Sequence, residues 1–194
     1  ETLPKQLQDV LPLHILAWTT TPWTLPSNTA LTVGPSIEYM VIHTFNRYTH
    51  LPIRVLLAKD LVTKVFGKVF QQVEALDDLQ SYEKNGKNVP YLITDCILGA
   101  DLVGIRYKQL WTDAPLPHNN PKNAFRVIAG DFVTTDDGTG IVHTAPTFGA
   151  DDAMVAKQAT PEVPPMLVLD ENEQLVPLVD LQGRFRKELG PLGG

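Results

Sequence analysis

The run Asp137-Gly-Thr-Gly-Ile-Val-His-Thr-Ala-Pro-Thr-Phe-Gly-Ala-Asp-Asp152 decides the architecture, because it places a turn, a strand and a helix within sixteen residues. Gly138 and Gly140 suit a tight turn, Gly140 to Thr144 read as an extended strand, and Pro146 follows close behind it. Gly149 to Ala159 then has helical character, opening with two aspartates where the helix dipole favours acids by about 0.3–1 kcal/mol. Outward from this run the same economy of scale repeats. Leu13 to Thr20, Ala30 to Val33, Tyr39 to Phe45, Phe125 to Ile128 and Met166 to Leu169 read as short strands, and Ile53 to Leu57 is a further short apolar run. Gly34-Pro35 joins the second and third of them, and Asp136-Asp137-Gly138 reads as a hairpin-type turn. Lys59 to Phe66 reads as a helix ended by Gly67, and Thr94 to Val103 as a short helix ended by Gly104. Glu83 to Asn88 and the proline-rich Asp113 to Lys122 read as loops. Many short strands without a βαβ rhythm predict a mainly β fold, a barrel-like core or open sheet with peripheral α-helices.

A chain of 194 residues suits one domain, 1–194, with a proper core. The closing Leu189-Gly-Pro-Leu-Gly-Gly194 reads as a boundary, so a piece of something larger is expected. Hydrophobic residues at 43% and charged residues at 20% are those of an ordinary globular protein. The apolar runs are too short to cross a bilayer, and no signal peptide opens the sequence. The single cysteine, Cys96, excludes an internal disulfide and a cysteine-based zinc site, which fits a reducing, cytoplasmic setting. A net charge of −6 argues against broad phosphate neutralisation, although a nucleic-acid end held in a local pocket is compatible with it.

The second informative stretch is Trp18-Thr-Thr-Thr-Pro-Trp-Thr-Leu-Pro-Ser-Asn28. Threonines favour strands and prolines stop them, so a plain strand end accounts for the composition. Yet four threonine hydroxyls, two indoles and an amide stand together where a strand yields to a loop, and such hydroxyls suit sugar hydroxyls and an ester carbonyl. In the first run, His143 reads either as a satisfied strand-end histidine or as one wall of a pocket that Asp152 shares. An ionised Asp152 at a helix start suits an ammonium group, while Asp151 and Asp152 also need no function there. Rival chemistries fail on spacing. Gly138-Thr-Gly140 lacks the phosphate-loop pattern, and Asp136-Asp-Gly-Thr139 lacks the order of an aspartic protease. His14, His43, His50 and His118 are scattered without ligand spacing, so no metal and no cofactor is expected. A hydrolase built from Thr20, His143 and Asp152 lacks a nucleophile elbow and a free N-terminal amine.

Together the two stretches resemble the editing domain inserted into class I isoleucyl-, valyl- and leucyl-tRNA synthetases. The order Trp-Thr-Thr-Thr-Pro-Trp-Thr-Leu-Pro-x-Asn is similar to the isoleucyl type. The other two types place an arginine where Thr21 stands and an acid where Trp23 stands. The similarity covers about Leu13 to Val41 and Phe125 to Ala156, with weaker echoes at Leu102 to Gly104 and Gly183 to Phe185. The resemblance implies a deacylase of mischarged Val-tRNA(Ile), working on the aminoacylated 3′ end beside a parent synthetase core, as a monomer and off the membrane. It implies that His143 excludes the larger side chain, that Trp23 lines the amino-acid side, and that Asp152 holds the α-ammonium. Thr19, Thr20, Thr21 and Asn28 would contact the terminal adenosine, the ester and the attacking water. Two further readings stand beside this one: a valyl-type editor of Thr-tRNA(Val), and a non-catalytic module that binds the acceptor end. The His-Ile-Gly-His and Lys-Met-Ser-Lys-Ser signatures of aminoacylation are absent, so this chain is not expected to activate an amino acid.

Overall fold

The computed structural model describes residues 3–84 and 88–193. Among these residues ten strands run in chain order: β1 (Leu13–Ile15), β2 (Ala30–Val33), β3 (Glu38–Phe45), β4 (Pro52–Ala58), β5 (Phe70–Gln72), β6 (Val89–Leu98), β7 (Arg126–Ala129), β8 (Ile141–Thr144), β9 (Leu167–Leu169) and β10 (Leu175–Pro177). Four short helices accompany them: α1 (Val62–Phe66), α2 (Leu76–Gln80), α3 (Gly99–Leu102) and α4 (Ala150–Gln158). The chain divides into two compact units, one of residues 1–18, 34–101 and 132–141, the other of 19–33, 102–131 and 142–194.

The first unit is built on a five-stranded sheet of order β1-β4-β3-β6-β5. β3 pairs antiparallel with both β4 and β6, while β1 and β5 add in parallel at the edges. Ile42, Val55, Leu57, Val62, Phe66 and Tyr91 form its core. α1 ends at Gly67, whose φ of +54° glycine tolerates without a Cβ penalty. Arg54, 2% exposed, donates to the carbonyl oxygens of Gln6, Leu7 and Leu11 at 3.2–3.3 Å, and so ties the polar lead-in residues to β4.

The second unit carries a three-stranded sheet of order β7-β2-β8 and a β9–β10 hairpin. β2 is central and buried along its whole length, as its Ala-Leu-Thr-Val composition allows. Val155 and Ala156 of α4 pack with Ala30, Ile128 and Val163. A second cluster gathers Ala114, Ala124, Phe125, Met166, Val168, Leu178 and Leu189.

The fold is therefore mixed α/β and rich in sheet, and among the described residues the strands form three sheets without closing into a barrel. The three-residue strands β1 and β5 each pair on one side only, so the large sheet stays open at both edges. Two local expectations also change. The helix expected from Thr94 to Val103 shrinks to α3, because Thr94 to Leu98 continues β6, where Asp95 to Leu98 pair in register with Val41 to Glu38. β-branched and apolar residues there gain more from a cross-strand partner than from local helix propensity. The turn at Asp136 to Gly138 closes no hairpin, since β7 and β8 flank β2 instead of pairing with each other. The expected Glu83 to Asn88 loop lies partly outside the described residues.

Candidate active site

After Thr21 the threonine-rich stretch forms a two-turn 3-10 helix, Pro22–Ser27, with proline at its first position. That tight turn faces hydroxyls toward one another. Thr19 Oγ1 accepts from the Thr21 N–H at 3.0 Å and lies 3.3 Å from Thr21 Oγ1. Thr21 Oγ1 lies 3.2 Å from Thr24 Oγ1, and Thr24 Oγ1 donates to the Thr21 carbonyl at 2.8 Å. From there the chain of bonds crosses to β8. His143 Nε2 is 3.1 Å from Thr24 Oγ1, and His143 Nδ1 is 2.8 Å from Asn28 Nδ2. Asn28 Nδ2 also donates to the Ala30 carbonyl at 2.8 Å, and Asn28 Oδ1 accepts from the Tyr107 hydroxyl.

These partners fix the protons. The Ala30 carbonyl needs a donor, so the Asn28 atom facing it is the amide nitrogen, and its second N–H points at His143 Nδ1. Nδ1 is then an acceptor and Nε2 carries the proton, which it gives to Thr24 Oγ1. Thr24 in turn donates to Thr21 O. His143 is 6% exposed, and burial pushes its pKa down to about 4. With Nε2 donating, the one lone pair that could take a proton, on Nδ1, is occupied by the Asn28 N–H, so the ring is held in place and uncharged at neutral pH.

Asp152 sits in the first turn of α4, but its carboxylate is not held by that helix's own amides. Its Oδ2 accepts the Ala145 N–H at 2.8 Å, two residues past His143. Burial raises its pKa above the ordinary aspartate value, the Ala145 bond works against that, and Asp151 adds to the rise. Gly149 leaves the carboxylate room: a Cβ there would crowd it, standing 3.0 Å from the Asp152 carboxyl carbon and 3.1 Å from Oδ2.

Of the residues singled out in the sequence, the structure joins Thr19, Thr21, Asn28 and His143 in one bonded series. Thr20 and Trp23 are exposed on the same segment, Trp23 at 48%, with its indole against Gly183. Asn28 is buried rather than presented to solvent, and its amide is occupied by protein partners. Two members of the series were not foreseen. Thr24 lay inside the quoted stretch, at the spacing that brings its hydroxyl back to Thr21 in a 3-10 turn. Tyr107, 79 residues from Asn28, left no signal in the sequence.

No family model matches the chain. The isoleucine–tRNA ligase of Cytophaga hutchinsonii is 50% identical over 182 residues, covering 93% of this chain and 15% of that protein. The cytoplasmic isoleucine–tRNA ligase of Saccharomyces cerevisiae is 36% identical over 182 residues, covering 93% and 14% respectively. The chain thus spans about 15% of the length of the curated relatives it matches. In fold it is similar to the editing domain of the cytosolic leucyl-tRNA synthetase of P. knowlesi, with a TM-score of 0.55 at 16% identity, over 78% of this chain and 52% of that one. The chain belongs to the isoleucine–tRNA ligase family, as the segment that carries the editing-domain fold.

Proposed function

We propose that this domain clears valine from mischarged tRNA(Ile) by hydrolysing the ester at the tRNA 3′ end, as the second pocket of an isoleucine–tRNA ligase. The observation that carries the reading is His143, held at both ring nitrogens and uncharged, which suits a size barrier and not a proton carrier. A synthetic site for isoleucine rejects valine by only about 1–3 kcal/mol, the worth of one methylene. A rigid pocket that admits valine and refuses isoleucine sorts in the opposite sense, so the two sieves multiply. In this reading His143 is the wall, Trp23 lines the amino-acid side, and the Asp152 carboxylate holds the α-ammonium. Thr19, Thr20 and Thr21 meet the terminal ribose, the ester and the water, while Asn28 acts through His143.

An aminoacyl ester is already activated, so no covalent intermediate is needed. Water adds to the carbonyl carbon, the carbonyl oxygen takes up negative charge, and the C–O bond to the ribose breaks with its oxygen receiving the proton. Hydroxyl donors at Thr20 and Thr21 are suited to orient that water and stabilise the charge. Valine and uncharged tRNA(Ile) are released, with no cofactor. The parent synthetase core supplies the rest of the tRNA contact, in the cytoplasm, the compartment of the yeast relative.

The test is deacylation of Val-tRNA(Ile) and Ile-tRNA(Ile) by this chain. The valyl ester is expected to be cleaved and the isoleucyl ester spared, with His143→Ala beginning to cleave the isoleucyl ester. Rates no faster than buffer for both esters refute the catalytic reading, and unchanged selectivity in His143→Ala removes His143 as the sieve.

A further inference from the structure

The hydrogen-bonded series that ends on the sieve begins at a residue outside both motifs. Tyr107 follows Gly104, and its segment is pinned to β7 by three backbone bonds: Gly104 N–H to Val127 O at 2.9 Å, Val127 N–H to Ile105 O at 2.8 Å, and Tyr107 N–H to Phe125 O at 3.0 Å. The ring stands edge-on to Phe125 at 6.1 Å and packs against the cluster of Met166, Val168 and Leu178. Backbone and ring together aim the hydroxyl at Asn28 Oδ1. A phenol hydroxyl both donates and accepts, yet here it must donate, because the Ala30 carbonyl already dictates which end of the amide is oxygen.

We infer that Tyr107 is a positioning residue for selectivity: its hydroxyl locks the Asn28 amide, and the amide locks the ring and the tautomer of His143. The inference rests on the editing reading for its link to selectivity, and on geometry alone for its link to His143. Without the hydroxyl, Asn28 Oδ1 is left buried without this donor, and the amide is released to rock against the two groups it serves. His143 Nδ1 then loses a fixed partner, and the wall acquires a second ring position or a second tautomer. Nothing in this requires Tyr107 to touch the substrate. Its own burial keeps the phenol protonated, so the donor is present at every working pH.

The experiment compares the chain with Tyr107→Phe, which keeps the ring and its packing and removes one oxygen. Two quantities are read: nitrogen-15 NMR of the His143 ring, which distinguishes Nδ1–H from Nε2–H, and the ratio of valyl to isoleucyl ester cleavage. The unaltered chain is expected to hold a single Nε2–H tautomer. Tyr107→Phe is expected to show a mixture, and a cleavage ratio lowered by about tenfold, within the 10–200-fold that discrimination of one methylene is worth. Asn28→Asp, whose carboxylate accepts where the amide donates, is expected to turn His143 to the Nδ1–H form and so checks the link if Tyr107→Phe folds poorly. An unchanged tautomer in either variant overturns the inference, as does an unchanged cleavage ratio in Tyr107→Phe. If the unaltered chain cleaves neither ester, the editing reading falls, and the His143 tautomer alone decides whether Tyr107 governs it.

Discussion

A histidine that is buried, singly protonated and bonded on both sides makes a measurable demand on stability. Its folded-state pKa of about 4 lies below the ordinary value of 6.5, so the unfolded chain binds the proton more readily between those limits. The stability linked to His143 is therefore complete above pH 6.5 and is lost as pH falls toward 4. Between pH 7 and pH 5 that loss amounts to about 2 kcal/mol at 1.36 kcal/mol per unit. Urea denaturation of the chain and of His143→Ala at both values tests this: the gap between them is expected to narrow by about that amount at pH 5. Asp152 behaves in the opposite sense. Burial raises its folded pKa, so its ionised form weighs against the fold at neutral pH. Asp152→Asn keeps an acceptor for the Ala145 N–H while removing the charge, and is expected to melt no lower than the parent at pH 7 while losing valyl-ester hydrolysis. A retained hydrolysis rate would contradict the ammonium role. Both side chains were legible in the sequence as types at a spacing. What set their protonation was not, because burial and the Asn28 and Ala145 partners come from outside their own positions.

At the scale of elements, the site depends on how three short pieces end. The 3-10 turn Pro22–Ser27 folds Thr24 back onto Thr21, β8 delivers His143, and the Gly149 entrance to α4 lets the Asp152 carboxylate return to Ala145. Gly149 has an ordinary φ of −103°, so what a side chain there meets is crowding from the Asp152 carboxylate and not backbone strain. Gly149→Ala is expected to displace the carboxylate, lower valyl-ester hydrolysis by at least about tenfold and leave overall stability within about 1–3 kcal/mol, the usual cost of crowding a packed site. Deacylation rate and thermal melting measured on one sample separate the two effects, and an unaltered rate would deny Gly149 this part. The strands β2, β3, β7 and β8 were legible because β-formers bounded by glycine and proline leave few alternatives, whereas β4 showed only as a short apolar run. The continuation of β6 through Leu98 was not, since Thr94 to Leu98 carries a plausible helix start and only the partner β3 decides otherwise.

For the molecule as a whole, charge sets the style of recognition. A net charge of −6 leaves little capacity to neutralise a phosphate backbone, so under the proposed editing function contact with tRNA through a local pocket should involve few phosphates. Binding of tRNA(Ile), followed by fluorescence anisotropy between 50 and 200 mM salt, is expected to weaken by about tenfold or less, against about 10³–10⁵ for a protein making 6–10 phosphate contacts. A steep salt dependence would point to a basic surface that composition conceals. The two compact units also matter at this scale. Nearly all the residues that the motifs nominated belong to the second unit, while the first contributes the large open sheet and the buried Arg54 that binds the lead-in segment.

The sequence by itself determined the family and the short-strand character, and it nominated the residues of a candidate site, because those depend on residue types at close spacing within two stretches. It left a barrel-like core and an open sheet both standing, and among the described residues the tertiary structure decided for open sheets, since pairing at a sheet edge depends on residues far along the chain. Only the tertiary structure decided that Thr24 and Tyr107 join the site, which way the Asn28 amide faces, and which nitrogen of His143 holds the proton. The reason is physical. A hydrogen bond between residues 79 or 119 positions apart leaves no local pattern, and burial, which moves a pKa, belongs to the packed whole.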